Sequence, residues 1–138
     1  MRRLIMLAVP ACVLLLPTAG SLGATTGATG TFCGATRCVR LPASLAVPLS
    51  HRNESFVSVS APKPAPFYRI TIHAKGEGYV NRTILWVPSR KLWYLKEYVT
   101  PPLAGYWRTT NARLDPALAR LAASVRPFPA PKHWIVPR

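Results

Sequence analysis

With 138 residues, 18 basic and 4 acidic side chains, and a net charge of +14, the chain has material for one domain and little more. Such a charge excess draws a protein toward anionic partners. Four carboxylates are poor material for hydrolysis by paired acids, which needs two of them to meet in the fold.

Arg2 and Arg3 open the chain, and an uncharged apolar run follows from Leu4 to Leu16. Small residues then extend from Thr18 to Ala24, with Leu22 the exception. A charged start, an apolar middle and a small-residue cleavage zone define a secretory signal peptide over residues 1–24. The apolar run is short for a bilayer span, which needs about 20 residues. Cys12 lies inside it, and Val13-Leu14-Leu15-Leu16 continues past the cysteine, so Val9–Cys12 is a poor lipid-anchoring box. Cleavage leaves 16 basic against 4 acidic side chains, a net charge of +12. The expected location is extracellular or on the cell envelope.

Residues 25–31 are Gly, Ala and Thr only, which predicts a flexible leader. Cys33 and Cys38 follow, and an even count in an oxidising compartment predicts a disulfide between them. Their spacing is wider than that of a redox Cys-x-x-Cys pair. One domain is expected over residues 32–126.

Ser55–Ser60 alternates, with Val57 and Val59 on one face, and reads as a strand. Pro62, Pro64 and Pro66 stiffen the connection that follows. Phe67–Ala74 alternates again: Tyr68, Ile70, Ile72 and Ala74 share one face, Arg69, Thr71 and His73 the other. Gly76-Glu77-Gly78 marks a turn. Thr83–Val87 and Leu92–Leu95 flank Pro88-Ser89-Arg90-Lys91, which predicts a hairpin because Pro presets the turn's φ. Pairing Val87 with Leu92 places Trp86 opposite Trp93 and Leu85 opposite Tyr94. The blurred alternation there implies cover on both faces. Thr100-Pro101-Pro102 breaks the pattern, and Tyr106–Thr110 adds a strand.

Asp115 reads as a helix N-cap and Pro116 as the first helical residue. Leu118, Leu121, Ala122 and Val125 form one apolar stripe, with Arg113, Arg120 and Arg126 off it. Prolines 127, 129, 131 and 137 make residues 127–138 an extended tail. The fold class is α+β: an antiparallel sheet of four to five strands with one C-terminal amphipathic helix on one face.

Three stretches carry a likeness. Phe67–Ile70 through Leu85-Trp86-Val87-Pro88-Ser89, then Leu114–Leu118, then Pro127–Pro131, together resemble small exported bacterial proteins of unknown function. The resemblance spans about half the chain. It implies export and a small α+β fold, and it assigns no catalytic residue.

Catalytic and metal chemistry find no constellation. His51, His73 and His133 are far apart and lack the clustered spacing of zinc ligands. No serine sits in a Gly-x-Ser-x-Gly elbow, and no glycine loop matches a phosphate cradle. No cofactor and no small-molecule substrate is indicated. Asn53 and Asn81 begin Asn-x-Ser/Thr triplets, which occur often by chance. Basic and aromatic residues interleave from Arg90 to Lys96 and from Tyr106 to Arg108. Such interleaving can stack nucleic-acid bases or sugars, but Trp86, Trp93 and Trp107 are first needed to fill so small a core, and nucleic acid is not the favoured partner.

Arg90, Lys91, Lys96 and Arg108 are the candidate surface-binding residues. The first functional expectation is a non-enzymatic module that associates with an anionic envelope polymer or lipid. The alternative is a protein-binding module, an inhibitor or accessory subunit. It would present Arg90 and Lys91 at the hairpin tip, with the disulfide stiffening the opposite end.

Overall fold

A computed structural model describes residues 27–52, 57–98 and 105–134. The expected signal peptide, Ser55 and Phe56, and Thr100–Pro102 lie outside them. Six strands form one antiparallel sheet: β1 (Gly27–Cys33), β2 (Cys38–Arg40), β3 (Tyr68–Lys75), β4 (Asn81–Val87), β5 (Leu92–Tyr98) and β6 (Tyr106–Thr109). Their order across the sheet is β2-β1-β3-β4-β5-β6. Two helices, α1 (Ala43–Ser50) and α2 (Asp115–Ala122), complete the α+β fold. Among the described residues the sheet therefore has six strands where four to five were expected, and two helices stand where one was.

Residues 27–31, expected as a leader, belong to β1, which pairs with β3 from Gly27↔Lys75 to Cys33↔Arg69. Gly30 explains why a chain of small residues suits this place. A Cβ there would meet the Thr71 carbonyl oxygen at 2.7 Å and the Leu41 side chain at 3.2 Å. The disulfide Cys33–Cys38 joins β1 to β2. It lies in the row that continues through Arg69 and Leu85 to Tyr94. That is the hairpin-tip end of the strands, and so the same end as Arg90 and Lys91.

The central hairpin forms with the expected register, Val87↔Leu92, Trp86↔Trp93 and Leu85↔Tyr94. A 3-10 turn over Pro88–Arg90 makes its tip, and Lys91 sits left-handed at φ 50°. Gly76 and Gly78 take positive φ in the β3–β4 turn, where an L side chain would be strained. The Ser55–Ser60 strand does not extend through its described part. Val57 is exposed, and Val59 alone bridges to Trp107.

Helix α1 carries Pro48 and has no side-chain cap. It survives on packing, with Leu45, Ala46 and Leu49 buried against the sheet. Helix α2 begins one residue earlier than a capping role for Asp115 requires: Leu114 is the N-cap, and Asp115 is the first helical residue. There its Oδ2 accepts the Thr110 hydroxyl at 2.7 Å, and its charge favours the helix N-terminus. Both helices cover one face of the sheet, over Phe32, Ile70, Ile72, Ile84, Trp86, Trp93 and Leu95.

Among the described residues, the other face is covered only toward the hairpin tip. There Leu85, Val87, Tyr94 and Trp107 pack beneath Val59, Ala65, Phe67 and Trp134. The proline-rich tail supplies part of this cover. Phe128 bridges to Phe67, Trp134 packs on Trp107 at 4.9 Å, and its indole N–H donates to the Pro62 carbonyl at 2.7 Å.

Candidate binding face

Beyond that cover no described residue lies over the second face, and strand register determines what it displays. Residues directly opposite each other on neighbouring strands point to the same side. Arg40 stands opposite Thr31, Thr31 opposite Thr71, Thr71 opposite Thr83 and Thr83 opposite Lys96. One straight row thus crosses five strands, with three threonines between two cations; Thr31 is exposed, Thr71 half-buried and Thr83 buried. At a strand spacing of ~4.8 Å, its four steps span about 19 Å.

A second row lies beside it. Thr29 is opposite His73, and Asn81 is opposite Tyr98. The Asn81 Oδ1 accepts the Ala74 backbone N–H at 2.7 Å, which fixes the amide. The Tyr98 hydroxyl lies 3.2 Å from the Thr83 hydroxyl, and the Tyr98 side chain remains 49% exposed. Two adjoining hollows follow these rows. One, of about 520 Å³, lies among Thr29, His73, Lys75 and Asn81. The other, of about 350 Å³, lies among Thr71, His73, Asn81, Thr83 and Tyr98. His73 and Asn81 line both, so the hollows form one shallow groove.

The electrostatics of this face are one-signed. Arg40, Arg69, Lys75 and Lys96 occupy its outward strand positions, and no carboxylate does among the described residues. The Arg69 guanidinium lies 5.6 Å over the Phe128 ring. Glu97, the one acid within a strand among the described residues, points the other way. It is buried on the helix side and pairs with Arg82 at 2.6 Å. Arg82 also donates to the Leu49 carbonyl at 2.9 Å, tying β4 to the end of α1. Burial pushes the Arg82 guanidinium below its ordinary value, while Glu97 beside it pulls the value back up. Burial raises the Tyr106 phenol above its usual range, and Glu97 adds to that rise.

The four candidate cations do not converge. Arg90 and Lys91 are exposed at the hairpin tip. Lys96 belongs to the open face. Arg108, opposite Trp93, lies on the helix side with its guanidinium 6.0 Å from that indole. Trp86, Trp93 and Trp107 are all buried, so the interleaved aromatics serve the core and offer no stacking platform. His51 packs against Tyr79 with the rings tilted and 4.4 Å apart.

Sequence reasoning missed the threonine row, Asn81, Tyr98 and the Arg82–Glu97 pair. One signal could have found part of them. Extending the hairpin register outward from Val87↔Leu92 pairs Thr83 with Lys96, Arg82 with Glu97 and Asn81 with Tyr98. The rest needed the long-range pairing of β1 with β3. No protein-family model, curated protein or solved structure matches the chain.

Proposed function

We propose that this chain is an exported, non-enzymatic module that attaches to an anionic envelope surface through its open sheet face. The observation that carries the reading is the charge of that face: Arg40, Arg69, Lys75 and Lys96 point outward from it, and the neighbouring strand acid, Glu97, is turned inward and paired. The signal-like leader supplies the compartment, and the charge left after its removal supplies the long-range attraction.

Salt-dependent co-sedimentation with washed cell envelopes tests it. Attachment is strong near 0.01 M salt and fades toward 0.15 M, as the screening length falls from about 30 Å to about 8 Å. Arg40→Glu with Lys96→Glu weakens it further at low salt. Absence of binding at low salt, or binding indifferent to salt, overturns the proposal.

A second reading, a protein-directed module, is favoured by the hairpin tip. Lys91 holds a left-handed backbone on an exposed turn beside Arg90, and non-glycine residues in that region cluster at functional sites. It predicts a salt-resistant partner in the envelope fraction that Arg90→Ala with Lys91→Ala releases. Retention of that partner by the double variant removes this reading.

A further inference from the structure

We infer that the ligand of the open face is an extended anionic polysaccharide, with sugar-borne carboxylates, lying across the strands along the row Arg40–Thr31–Thr71–Thr83–Lys96. This rests on the proposed attachment to an anionic surface and specifies its chemistry.

Three features of the face select a sugar chain over other polyanions. The first is the row itself. Its polar groups repeat at the strand spacing of ~4.8 Å, and an extended pyranose chain advances by nearly the same step per sugar. About four sugars therefore span the distance between the end cations, passing the accessible hydroxyls of Thr31 and Thr71, while Thr83, 6% exposed, turns its hydroxyl to that of Tyr98. The second is the kind of group displayed. Threonine hydroxyls both donate and accept, as sugar hydroxyls do, and the Asn81 amide keeps its NH₂ donors after its oxygen is used. A simple polyanion has carboxylates to meet the cations but no hydroxyls to meet the threonines. The third is relief. The groove shared by His73 and Asn81 has room for rings, and Tyr98 stands exposed at its margin as an aromatic wall.

A lipid surface fits less well. Interfacial binding needs an apolar face that enters the headgroup boundary. The exposed large hydrophobic side chains among the described residues are Val57 and Tyr98, and Val57 lies outside the strands. The face is polar where a membrane binder is apolar.

The chain is titrated at low salt with polygalacturonate, with poly-L-glutamate of matched length, and with vesicles of phosphatidylglycerol in phosphatidylcholine. The same titrations are run on Thr31→Val with Thr71→Val. Both positions are on strands, where valine is at home, and unchanged circular dichroism and melting certify the fold. The expected result is tighter binding to polygalacturonate than to poly-L-glutamate. In the double variant polygalacturonate affinity falls about tenfold, the loss of two modest hydrogen bonds, while poly-L-glutamate binding stays unchanged. Equal binding of the two polymers, or polygalacturonate affinity unmoved by the double variant, overturns the inference and leaves charge-led attachment standing. Binding to the vesicles with neither polymer bound overturns it in favour of lipid. No binding to polymers or vesicles overturns both it and the proposed attachment.

Discussion

Removing the charge of Glu97 is the most demanding test of the packing between the sheet and α1. Arg82 is 2% exposed, and its partners are the Glu97 carboxylate at 2.6 Å and the Leu49 carbonyl at 2.9 Å, while its Nε has none. In Glu97→Gln the guanidinium loses its counter-charge and stays buried near a second cation, Arg108. An uncompensated buried charge of this kind costs about 3–5 kcal/mol. At about 4 °C per kcal/mol for a domain near 100 residues, the melting temperature falls by roughly 12–20 °C. Thermal melts followed by far-ultraviolet circular dichroism, with urea titrations beside them, measure it. The companion variant Arg82→Leu with Glu97→Leu removes both charges. It leaves the Leu49 carbonyl without a donor, a cost of about 1–3 kcal/mol, partly offset by new apolar burial. The double variant is therefore more stable than the single one. A single variant melting within about 2 °C of the parent, on the same scale, refutes the reasoning. So does a double variant no better than the single.

Replacing Cys33 and Cys38 by alanine costs about 2 kcal/mol through the closed loop alone. It also frees the turn whose Arg37 guanidinium donates to the Ser124 carbonyl and whose Ala35 N–H bonds the Arg126 carbonyl at 2.9 Å. Hydrogen exchange rising at Ala35 registers the release. Lys91→Gly relieves a left-handed backbone at φ 50° and stabilises by about 1 kcal/mol, read from the urea midpoint. A destabilised variant contradicts that account. Burial raises the phenols of Tyr68, Tyr94 and Tyr106 above 10.0 in the folded chain. The folded state therefore holds protons that the unfolded chain releases. Stability from these groups is intact below the unfolded value and is lost as pH rises through the folded values. Absorbance titration near 295 nm shows the late ionisation, and melting temperature drops over the same alkaline range.

What was legible in the sequence was local. The hairpin announced itself because Pro88 presets a turn and the flanking residues are aromatic and β-branched. β3 showed clean alternation, with Tyr68, Ile70 and Ile72 inward. Pro116 placed the start of α2 to within a residue, while the apolar stripe ran to Val125, three residues past its end at Ala122. The misses have physical causes. β1 opens with Gly, Ala and Thr, residues that carry no hydrophobic period, and the Thr71 backbone and the Leu41 side chain crowd Gly30. α1 holds a proline that intrinsic propensity forbids, and tertiary burial of Leu45 and Leu49 overrides it. The open face is a product of register between β1 and β3, some 40 residues apart. No short window contains it, so the residues it gathers looked like unrelated threonines and cations.

The tail that covers Trp107 is also the last described part of the chain to be synthesised. Both helices and all six strands precede Pro127, yet Phe67 and Trp107 gain Phe128 and Trp134 as neighbours only when residues 128–134 arrive. A chain emerging N-terminus first thus presents a wet aromatic patch until residues 128–134 are free to fold back. A product stopped after Val125 would keep that patch permanently and collect in aggregates that the full chain escapes.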